Sequence, residues 1–475
     1  MKNLVYFLLT LLIFSATSCG SGQKHNEPRR TKQKVDSPKP EKTASEEETF
    51  KAGRLYPEVR CGNHPEYSYA LYLPKAYNDE RRWPVIFLFD AHARGTLPVE
   101  KYKALANKFG VILACSNNSK NGLNANIINM ISYNFIEDVQ SRFGIDEKSV
   151  YTGGFSGGAR IAVEVADMNK AVSGVIGCGA GVPDKNFIGR IDFDYFLCAG
   201  NKDFNYKELK QLSTELKNAG VNYYFSVFDG KHEWPQEDIF EQGLYFLMIS
   251  GNAGDSLNAD GKMVKDYLSF EKNNLQKAFN TNDIVEQVHI YERMAATLNK
   301  ITNTTEYQKK LKILYTTKIW HEHEKNLKKA LANEAAMQKY FMQNFDSRGI
   351  KWWKTQIDEL YSHSHDAPSK EERLSYTRLL NYLSLLSYLY LDNSLKNNEL
   401  AKAQKYLFIY QKVDPDNTEV YYLQAVYYAM QGKRAMSLSS LQTAVKKGFD
   451  DFERIAEDPH FHFSEAEMQK ITEAR

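Results

Sequence analysis

Residues 149–166 read SVYTGGFSGGARIAVEVA, and this stretch decides the fold. Ser149 to Gly153 has the composition of a short strand, and residues 156–166 carry apolar side chains at helical spacing. Between them, Gly154-Phe155-Ser156-Gly157-Gly158 fits the pattern G-x-S-x-G. The stretch therefore predicts a strand that turns sharply into a helix, with Ser156 in the turn. Flanking glycines suit such a turn because they remove Cβ atoms that would clash there.

Strands and helices alternate on both sides of this turn. The predicted strands are Tyr67–Leu73, Val85–Asp90, Val111–Cys115, Ser149–Gly153, Val172–Gly177, Tyr195–Cys198 and Tyr223–Phe228. The predicted helices are Val99–Phe109, Ile127–Phe143, Ser156–Ala166, Glu208–Ala219 and Asp238–Ile249. Apolar strands that alternate with helices are typical of a parallel sheet covered on both faces. The sequence thus predicts an α/β domain over residues 56–250, with a doubly wound, mostly parallel sheet.

A serine hydroxyl needs a general base to become a good nucleophile. Asp203 follows the sixth predicted strand and His232 follows the seventh, so serine, acid and histidine come in the order that one hydrolase fold uses. In this interpretation His232 takes the Oγ proton of Ser156, and Asp203 holds the imidazole tautomer and offsets its charge. Asp229 and Glu233 are weaker rivals for the acid, because both lie on the loop of the histidine itself.

An oxyanion developing at Ser156 needs two backbone N–H donors. We expect one from Gly157 and the other from the loop of residues 90–95, which reads DAHARG. Ala91 is the first choice in that loop and His92 the second. The residues predicted to line a substrate pocket are His92, Phe155 and Trp234.

With these motifs, residues 60–250 resemble the α/β-hydrolase family. The nearest resemblance is to exported esterases of the polyhydroxybutyrate-depolymerase and feruloyl-esterase type, whose histidine is also followed two residues later by Trp-Pro, as His232 is by Trp234-Pro235. The resemblance implies hydrolysis of carboxylic esters through an acyl-enzyme, with no cofactor and no metal. Residues 90–95 lack the usual His-Gly-Gly run, which leaves the second oxyanion donor open.

The substrate is only partly constrained by the sequence. The chain between Gly177 and Tyr195 is too short for a lid domain, so an open site is predicted. Such a site suits an acylated polysaccharide as well as a small ester. The polar loop of residues 116–122 (SNNSKNG) either contacts a sugar or is merely solvated.

A linker, residues 251–261 (GNAGDSLNADG), precedes a region without strand patterns. Residues 262–475 carry long amphipathic runs, which predict an all-α domain. Thr418–Asp451 resembles one 34-residue tetratricopeptide repeat. Its packing positions hold Tyr421, Ala425, Tyr428, Gly432, Leu441 and Ala444, whereas Gln424 and Ser437 depart from the pattern. We expect a short α-solenoid with a groove for a protein partner.

The N-terminal residues indicate export. After a basic start, the apolar run Leu4–Phe14 has the length of the hydrophobic region of a signal peptide and is too short to span a bilayer. The sequence thus predicts a signal peptide over residues 1–18. Ala16-Thr17-Ser18-Cys19 resembles the lipobox of bacterial lipoproteins, which implies lipidation of Cys19; an ordinary signal peptide is the alternative. Residues 19–55 are charged and polar, as in a disordered tether. The chain would then be held at the cell envelope by its lipid anchor alone, with Gly20 favouring the outer membrane and the leaflet left open.

Composition argues against several other classes of function. A net charge of +2, from 61 basic and 59 acidic residues, gives no footprint for nucleic acid. Cys61, Cys115, Cys178 and Cys198 are expected to be buried free thiols, with disulfides as the alternative that an even count in an exported protein leaves open. No C-x-x-C indicates a metal or redox site. Two alternatives to an esterase stay open: an interaction lipoprotein whose hydrolase domain is vestigial, and a serine peptidase.

Overall fold

The computed structural model describes residues 49–251 and 261–474. The predicted signal peptide, Cys19, the tether up to residue 48 and residues 252–260 of the linker lie outside this range. Within it, no helix is both long enough and apolar enough to cross a bilayer.

The chain divides into two compact units. Unit 1 contains the described residues up to Leu197, together with Thr214–Tyr223 and Gln236–Met263. Unit 2 contains Cys198–Ser213, Tyr224–Pro235 and the chain from Val264 onwards. Two short segments from the end of the α/β region therefore group with the helical region. The domain boundaries derived from the sequence, which follow secondary structure instead, stay a prediction.

One eight-stranded sheet organises the α/β region, with the strand order β1-β2-β4-β3-β5-β6-β7-β8. The strands are β1 (Leu55–Arg60), β2 (Ser68–Tyr72), β3 (Trp83–Asp90), β4 (Ile112–Ser116), β5 (Ile145–Phe155), β6 (Val172–Cys178), β7 (Asp194–Gly200) and β8 (Tyr223–Phe228). Strand β3 pairs in parallel with β4 and β5, and β5 pairs in parallel with β6. Strands β1 and β2 pair antiparallel, as do β2 and β4, so the sheet is mixed.

The helices of this region are α1 (Thr96–Phe109), α2 (Ala125–Arg142), α3 (Gly157–Met168), α4 (Tyr206–Asn218) and α5 (Glu237–Ser250). They alternate with the strands as predicted, and every residue of β3 is buried, as in a sheet covered on both faces. The predicted α/β class is therefore confirmed. Strand β1 was not predicted, because only Val59 of its residues is fully buried and the others are polar or partly exposed.

The register of three strands prepares the position of the candidate nucleophile. Asp90 at the end of β3 pairs with Phe155 at the end of β5, and Phe155 pairs with Cys178 at the end of β6. The carboxyl ends of β3, β5 and β6 are therefore level. Residues that follow these strands leave the sheet at the same edge, where open α/β sheets bind their ligands.

The region after residue 261 is helical, as predicted. Its helices are α6 (Lys262–Asn280), α7 (Ile284–Leu298), α8 (Thr305–Tyr315), α9 (Lys318–Asn344), α10 (Ile350–Asp366), α11 (Lys370–Lys396), α12 (Leu400–Val413), α13 (Thr418–Met430), α14 (Arg434–Lys446), α15 (Phe452–Glu457) and α16 (Glu465–Thr472). Helices α13 and α14 span the predicted repeat, and Ala425, Leu441 and Ala444 are fully buried there. The tetratricopeptide assignment itself stays a prediction.

Candidate active site

Ser156 occupies a strained turn between β5 and α3. Its φ of 56° and ψ of −123° lie in a region that residues with a Cβ rarely adopt. Its N–H donates to the Cys178 carbonyl at 2.8 Å, which ties the turn to the end of β6. Ser156 also precedes the first turn of α3, where the helix dipole favours negative charge. A strand-to-helix turn of this kind exposes the nucleophilic serine in α/β-hydrolases.

The glycines around Ser156 are required by close approach of the backbone. A Cβ on Gly154 would stand 2.2 Å from the carbonyl oxygen of Gly158. A Cβ on Gly158 would stand 2.0 Å from the carbonyl oxygen of Phe89 on β3. Both distances are far below van der Waals contact, so no larger residue fits either position without moving β3, β5 or α3.

Asp203 and His232 form a hydrogen-bonded pair within unit 2. Nδ1 of His232 lies 2.9 Å from Oδ2 and 3.0 Å from Oδ1 of Asp203. The Asp203 side chain is 1% exposed and that of His232 17%. The Asn205 N–H also donates to Asp203 Oδ1, at 2.7 Å, as α4 begins. A carboxylate at Nδ1 favours the tautomer with the proton on Nδ1, which leaves Nε2 as the basic nitrogen.

The two rival acids have other partners. Asp229 accepts hydrogen bonds from Lys202 Nζ at 2.8 Å and Asn201 Nδ2 at 3.1 Å, and its side chain is 77% exposed. These hydrogen bonds, first that from Lys202 and then that from Asn201, hold the pKa of Asp229 below its usual value. Glu233 accepts from the Lys231 N–H at 3.2 Å. The geometry thus favours Asp203 as the partner of His232. The Phe204 ring packs on the imidazole, with 4.3 Å between centroids.

The loop after β3 is folded around the buried carboxylate of Asp90. Oδ1 of Asp90 accepts from the His92 N–H at 2.9 Å, and both carboxylate oxygens bind the Arg94 guanidinium. Ala93 takes a positive φ of 59°, which completes the tight turn. Because the His92 N–H is engaged by Asp90, Ala91 is the better oxyanion candidate of the two.

Asn121 is a site residue that the sequence did not single out. Its N–H donates to the Ala91 carbonyl at 2.9 Å, and the neighbouring Lys120 forms a β-bridge with His92. A Cβ on Gly157 would stand 1.7 Å from Oδ1 of Asn121, so this side chain lies directly over Gly157. Within residues 49–251 and 261–474, no group hydrogen-bonds to the Asn121 side-chain amide. The only sequence signal was the polar loop of residues 116–122, for which sugar contact and plain solvation were both open.

The predicted pocket residues differ in exposure. His92 is exposed in unit 1, whereas Phe155 is buried there at the end of β5. Trp234 is buried in unit 2. A surface cavity of about 450 Å³ in unit 1 is lined by Arg94, Asn117 and their neighbours, and by none of the predicted site residues. The pocket assignments of His92, Phe155 and Trp234 stay predictions.

The structure therefore groups the site residues in two sets. Ser156, Gly157, Ala91 and His92 belong to unit 1, and Asp203, His232 and Trp234 belong to unit 2. In the described part of the chain, no three His, Cys, Asp or Glu side chains cluster as they would around a metal ion. Cys61, Cys115, Cys178 and Cys198 are all buried free thiols in that same part.

The solved structures similar to this chain include several esterases. A ferulic acid esterase is 17% identical, with 38% of this chain and 89% of that chain covered and a TM-score of 0.31. The feruloyl esterase module from Clostridium thermocellum, complexed with sinapinate, is also 17% identical, over 38% of this chain and 83% of its own, with a TM-score of 0.33. A hyperthermophilic esterase from the archaeon Pyrobaculum calidifontis is 12% identical, with 38% of this chain and 78% of that chain covered and a TM-score of 0.31. No protein-family model and no curated protein sequence matches the chain.

Proposed function

We propose that this chain is a serine hydrolase that cleaves carboxylic esters, with Ser156 as nucleophile, His232 as general base and Asp203 as the acid. The observation that carries the proposal is the hydrogen bond between His232 Nδ1 and the buried Asp203 carboxylate. A buried carboxylate on the imidazole is what a general base needs for a fixed tautomer and a stabilised imidazolium. The strained, glycine-flanked turn at Ser156 supports the same assignment.

In the proposed reaction, Ser156 Oγ attacks the ester carbonyl carbon while His232 Nε2 takes the Oγ proton. The tetrahedral intermediate carries its negative charge on the former carbonyl oxygen. When it collapses, the C–O bond to the alcohol breaks and His232 returns the proton to the leaving alcohol. Water, deprotonated by His232, then attacks the acyl-enzyme and releases the carboxylic acid and Ser156.

The N–H groups of Gly157 and Ala91 are the proposed donors to the oxyanion. The N–H of Gly157 follows Ser156 at the start of α3, and Ala91 follows the end of β3. The side-chain amide of Asn121 lies over Gly157 and has no partner among the described residues. We assign it to contact with the bound substrate. Loss of a single oxyanion donor costs roughly 10²–10³-fold in kcat in other serine hydrolases.

The proposed substrate is an ester presented at an open site, either an acylated polysaccharide or a small ester. Between β6 and β7 the chain forms only a short 3₁₀ turn, Lys185–Arg190. That connection contributes no lid to exclude a large alcohol portion. A serine peptidase would use the same three residues, so both substrate classes belong in the first assay.

The first experiment treats the purified protein with a fluorophosphonate probe and with short p-nitrophenyl esters, beside Ser156→Ala. Labelling and ester hydrolysis that vanish in the variant support the proposal. Peptide p-nitroanilides run in parallel, and faster cleavage of these than of esters would replace the esterase by a peptidase. A folded wild type that neither labels nor hydrolyses would overturn the catalytic assignment.

We further propose that the chain is exported and anchored in the outer membrane of the cell envelope through a lipid on Cys19. The support is the apolar run followed by the lipobox-like residues 16–19. Labelled palmitate should enter the wild type but not Cys19→Ser. Incorporation that is equal in both, or absent from both, would contradict the anchor.

Residues 262–475 are proposed to bind a protein partner. The support is the helical architecture found over this range, with the predicted repeat at α13 and α14. If this is correct, chemical crosslinking of membranes that contain the full-length chain should link it to one specific protein. Met436 on α14 is exposed, and the same crosslinking of Met436→Glu tests whether the repeat surface binds that protein. If no protein crosslinks to the wild type, this part of the proposal fails.

A further inference from the structure

Helix α11 contacts the loop of residues 201–205, which carries Asp203 and is called the acid loop below. Nη1 of Arg378 donates to the main-chain carbonyl of Asn201 at 2.9 Å. One turn along the same helix, Nδ2 of Asn381 donates to the carbonyl of Lys202 at 2.7 Å. Asn201 and Lys202 are the two residues immediately before Asp203, and all five belong to unit 2. Two consecutive carbonyls of the acid loop are therefore fixed by one helix.

The Arg378 guanidinium is itself held rigidly. Its Nε and Nη2 donate to Oε2 of Glu334 at 2.9 and 2.7 Å, and both side chains are almost fully buried. Its planar group also lies 4.6 Å from the ring centroid of Tyr206, the first residue of α4. A buried ion pair is weak evidence for stability, because desolvation offsets its attraction. The geometric effect of the pair is clearer, because it directs Nη1 of Arg378 at the Asn201 carbonyl.

The loop of residues 229–236, which carries His232 and is called the histidine loop, has a matching contact. Nζ of Lys231, the residue before His232, lies 3.4 Å from Oδ1 of Asp414. Asp414 is held in turn by Ser384 of α11, whose Oγ donates at 2.9 Å, and by Asn417, whose Nδ2 donates at 3.0 Å. The acid loop and the histidine loop are thus both tied to the helical part of unit 2.

We propose that α11 is a positioning element for the candidate catalytic pair, with Arg378 and Asn381 as positioning residues that act through the acid loop. They fix the backbone before Asp203, so that its carboxylate meets His232 Nδ1 at hydrogen-bond distance. The proposal rests on the proposed function. It adds that the helical region completes the machinery of the enzyme, besides any partner it binds. A displacement of about 1 Å in such a pair can cost up to roughly 10²-fold in rate.

The test compares Asn381→Leu with Asn393→Leu in the full-length chain. Both asparagines are half-buried on α11, but among the residues that the structure describes the Asn393 side chain bonds only to Asn397, the residue that follows the helix. Leucine keeps the branching of asparagine at Cγ and removes the donor to Lys202, and its larger volume is common to both variants. We expect Asn381→Leu to lower kcat for a p-nitrophenyl ester about 10-fold or more at unchanged KM. Asn393→Leu should retain wild-type kcat. Wild-type kcat in folded Asn381→Leu, or an equal fall in both variants, would overturn the proposal.

Arg378→Lys gives a second, independent variant. Lysine keeps the charge beside Glu334 but cannot bind Oε2 and the Asn201 carbonyl with a planar fork. We expect kcat to fall again at unchanged KM, with the protein still folded by circular dichroism. A folded Arg378→Lys variant with wild-type kcat would contradict the role of Arg378.

A spectroscopic measurement separates this proposal from the proposed function. The Nδ1–H proton of His232, shared with Asp203, should give a low-field NMR resonance that disappears in His232→Gln. Asn381→Leu should shift or broaden this resonance, and Asn393→Leu should not. This readout needs no turnover. If the wild type hydrolyses no ester but the resonance changes in Asn381→Leu, the proposed function is wrong and the positioning role of α11 stands. If the resonance is unchanged in Asn381→Leu, only the positioning role is wrong.

Discussion

Arg378 donates a hydrogen bond to the main-chain carbonyl of Asn201 at 2.9 Å, although 177 residues separate the two along the chain. The contact joins a helix of the C-terminal region to a loop that follows a strand of the sheet. It explains physically why residues 198–213 group with the helices in one compact unit. The candidate acid is therefore supported by side chains that lie far from it in sequence.

Replacing Asp203 tests which carboxylate serves His232. In Asp203→Asn the side chain keeps its size and can still accept from the Asn205 N–H, but its amide cannot hold the Nδ1–H tautomer. We expect kcat for ester hydrolysis to fall by roughly 10³–10⁴-fold with little change in melting temperature. The matched control is Glu233→Gln, which should stay within about 3-fold of wild type because, in the part of the chain that the structure describes, Glu233 bonds only to its own loop. The reverse pattern would assign the acid to Glu233.

Much of the sheet was predictable because its strands are short apolar runs between polar turns. Strand β3 is buried along its whole length, and its sequence shows this directly. Strand β1 escaped prediction because it lies at the sheet edge, where one face meets solvent and polar residues are tolerated. The predicted partnership of Asp203 with His232 came from their chain order and from their places after the sixth and seventh predicted strands, and the structure shows their side chains hydrogen-bonded.

The close approach at Gly158 makes a stability prediction. In Gly158→Ala the new Cβ would meet the Phe89 carbonyl at 2.0 Å, so α3 must move away from β3. We expect the free energy of unfolding to fall by about 3 kcal/mol or more, measured by urea denaturation. Gly189→Ala is the control, since a Cβ at Gly189 would have no atom within 4 Å and the φ of this residue is not in the left-handed region. That change should stay within about 0.5 kcal/mol. Equal stability of the two variants would contradict the packing at the turn.

A buried ion pair in the helical region makes a second stability prediction. Arg293 Nη2 lies 2.8 Å from Glu271 Oε2, and both side chains are almost fully buried. Glu271→Gln should lower the free energy of unfolding by about 3–5 kcal/mol, because it leaves the arginine charge buried without its partner. The double variant Glu271→Leu/Arg293→Met removes both charges and should be much closer to wild type, or more stable.

The control for this pair is Lys354→Met, at the exposed pair of Lys354 with Asp358. An exposed pair contributes at most about 1 kcal/mol, so this variant should be almost neutral. Should Glu271→Gln prove as mild as Lys354→Met in urea denaturation, the buried pair would not have the cost assigned to it.

What the sequence could not reveal is the support of the site by tertiary contacts. The polar loop of residues 116–122 was recognised, but nothing in it marked Asn121, whose place over Gly157 depends on how two loops pack. Arg378 and Asn381 looked like ordinary residues of an amphipathic helix. Their partners are backbone carbonyls, which every residue possesses, so no residue type at the other end of the contact could have indicated the pairing.

The Cys61 thiol makes a pH-dependent prediction. Burial, and next the negative charge of Asp138, raise the pKa of Cys61 to about 12. The measurement uses the Cys19→Ser variant, which removes the proposed lipidation site and its thiol. Only roughly 10⁻⁴ of Cys61 should then be thiolate at pH 8, so Ellman's reagent should react with it slowly until the chain is unfolded. Because the folded pKa lies above the unfolded value, the native state loses stability as pH rises from about 9 towards 12. Cys61→Ser should lessen that loss relative to its parent. Rapid labelling of Cys61 in the native protein at pH 8 would contradict its burial and its raised pKa.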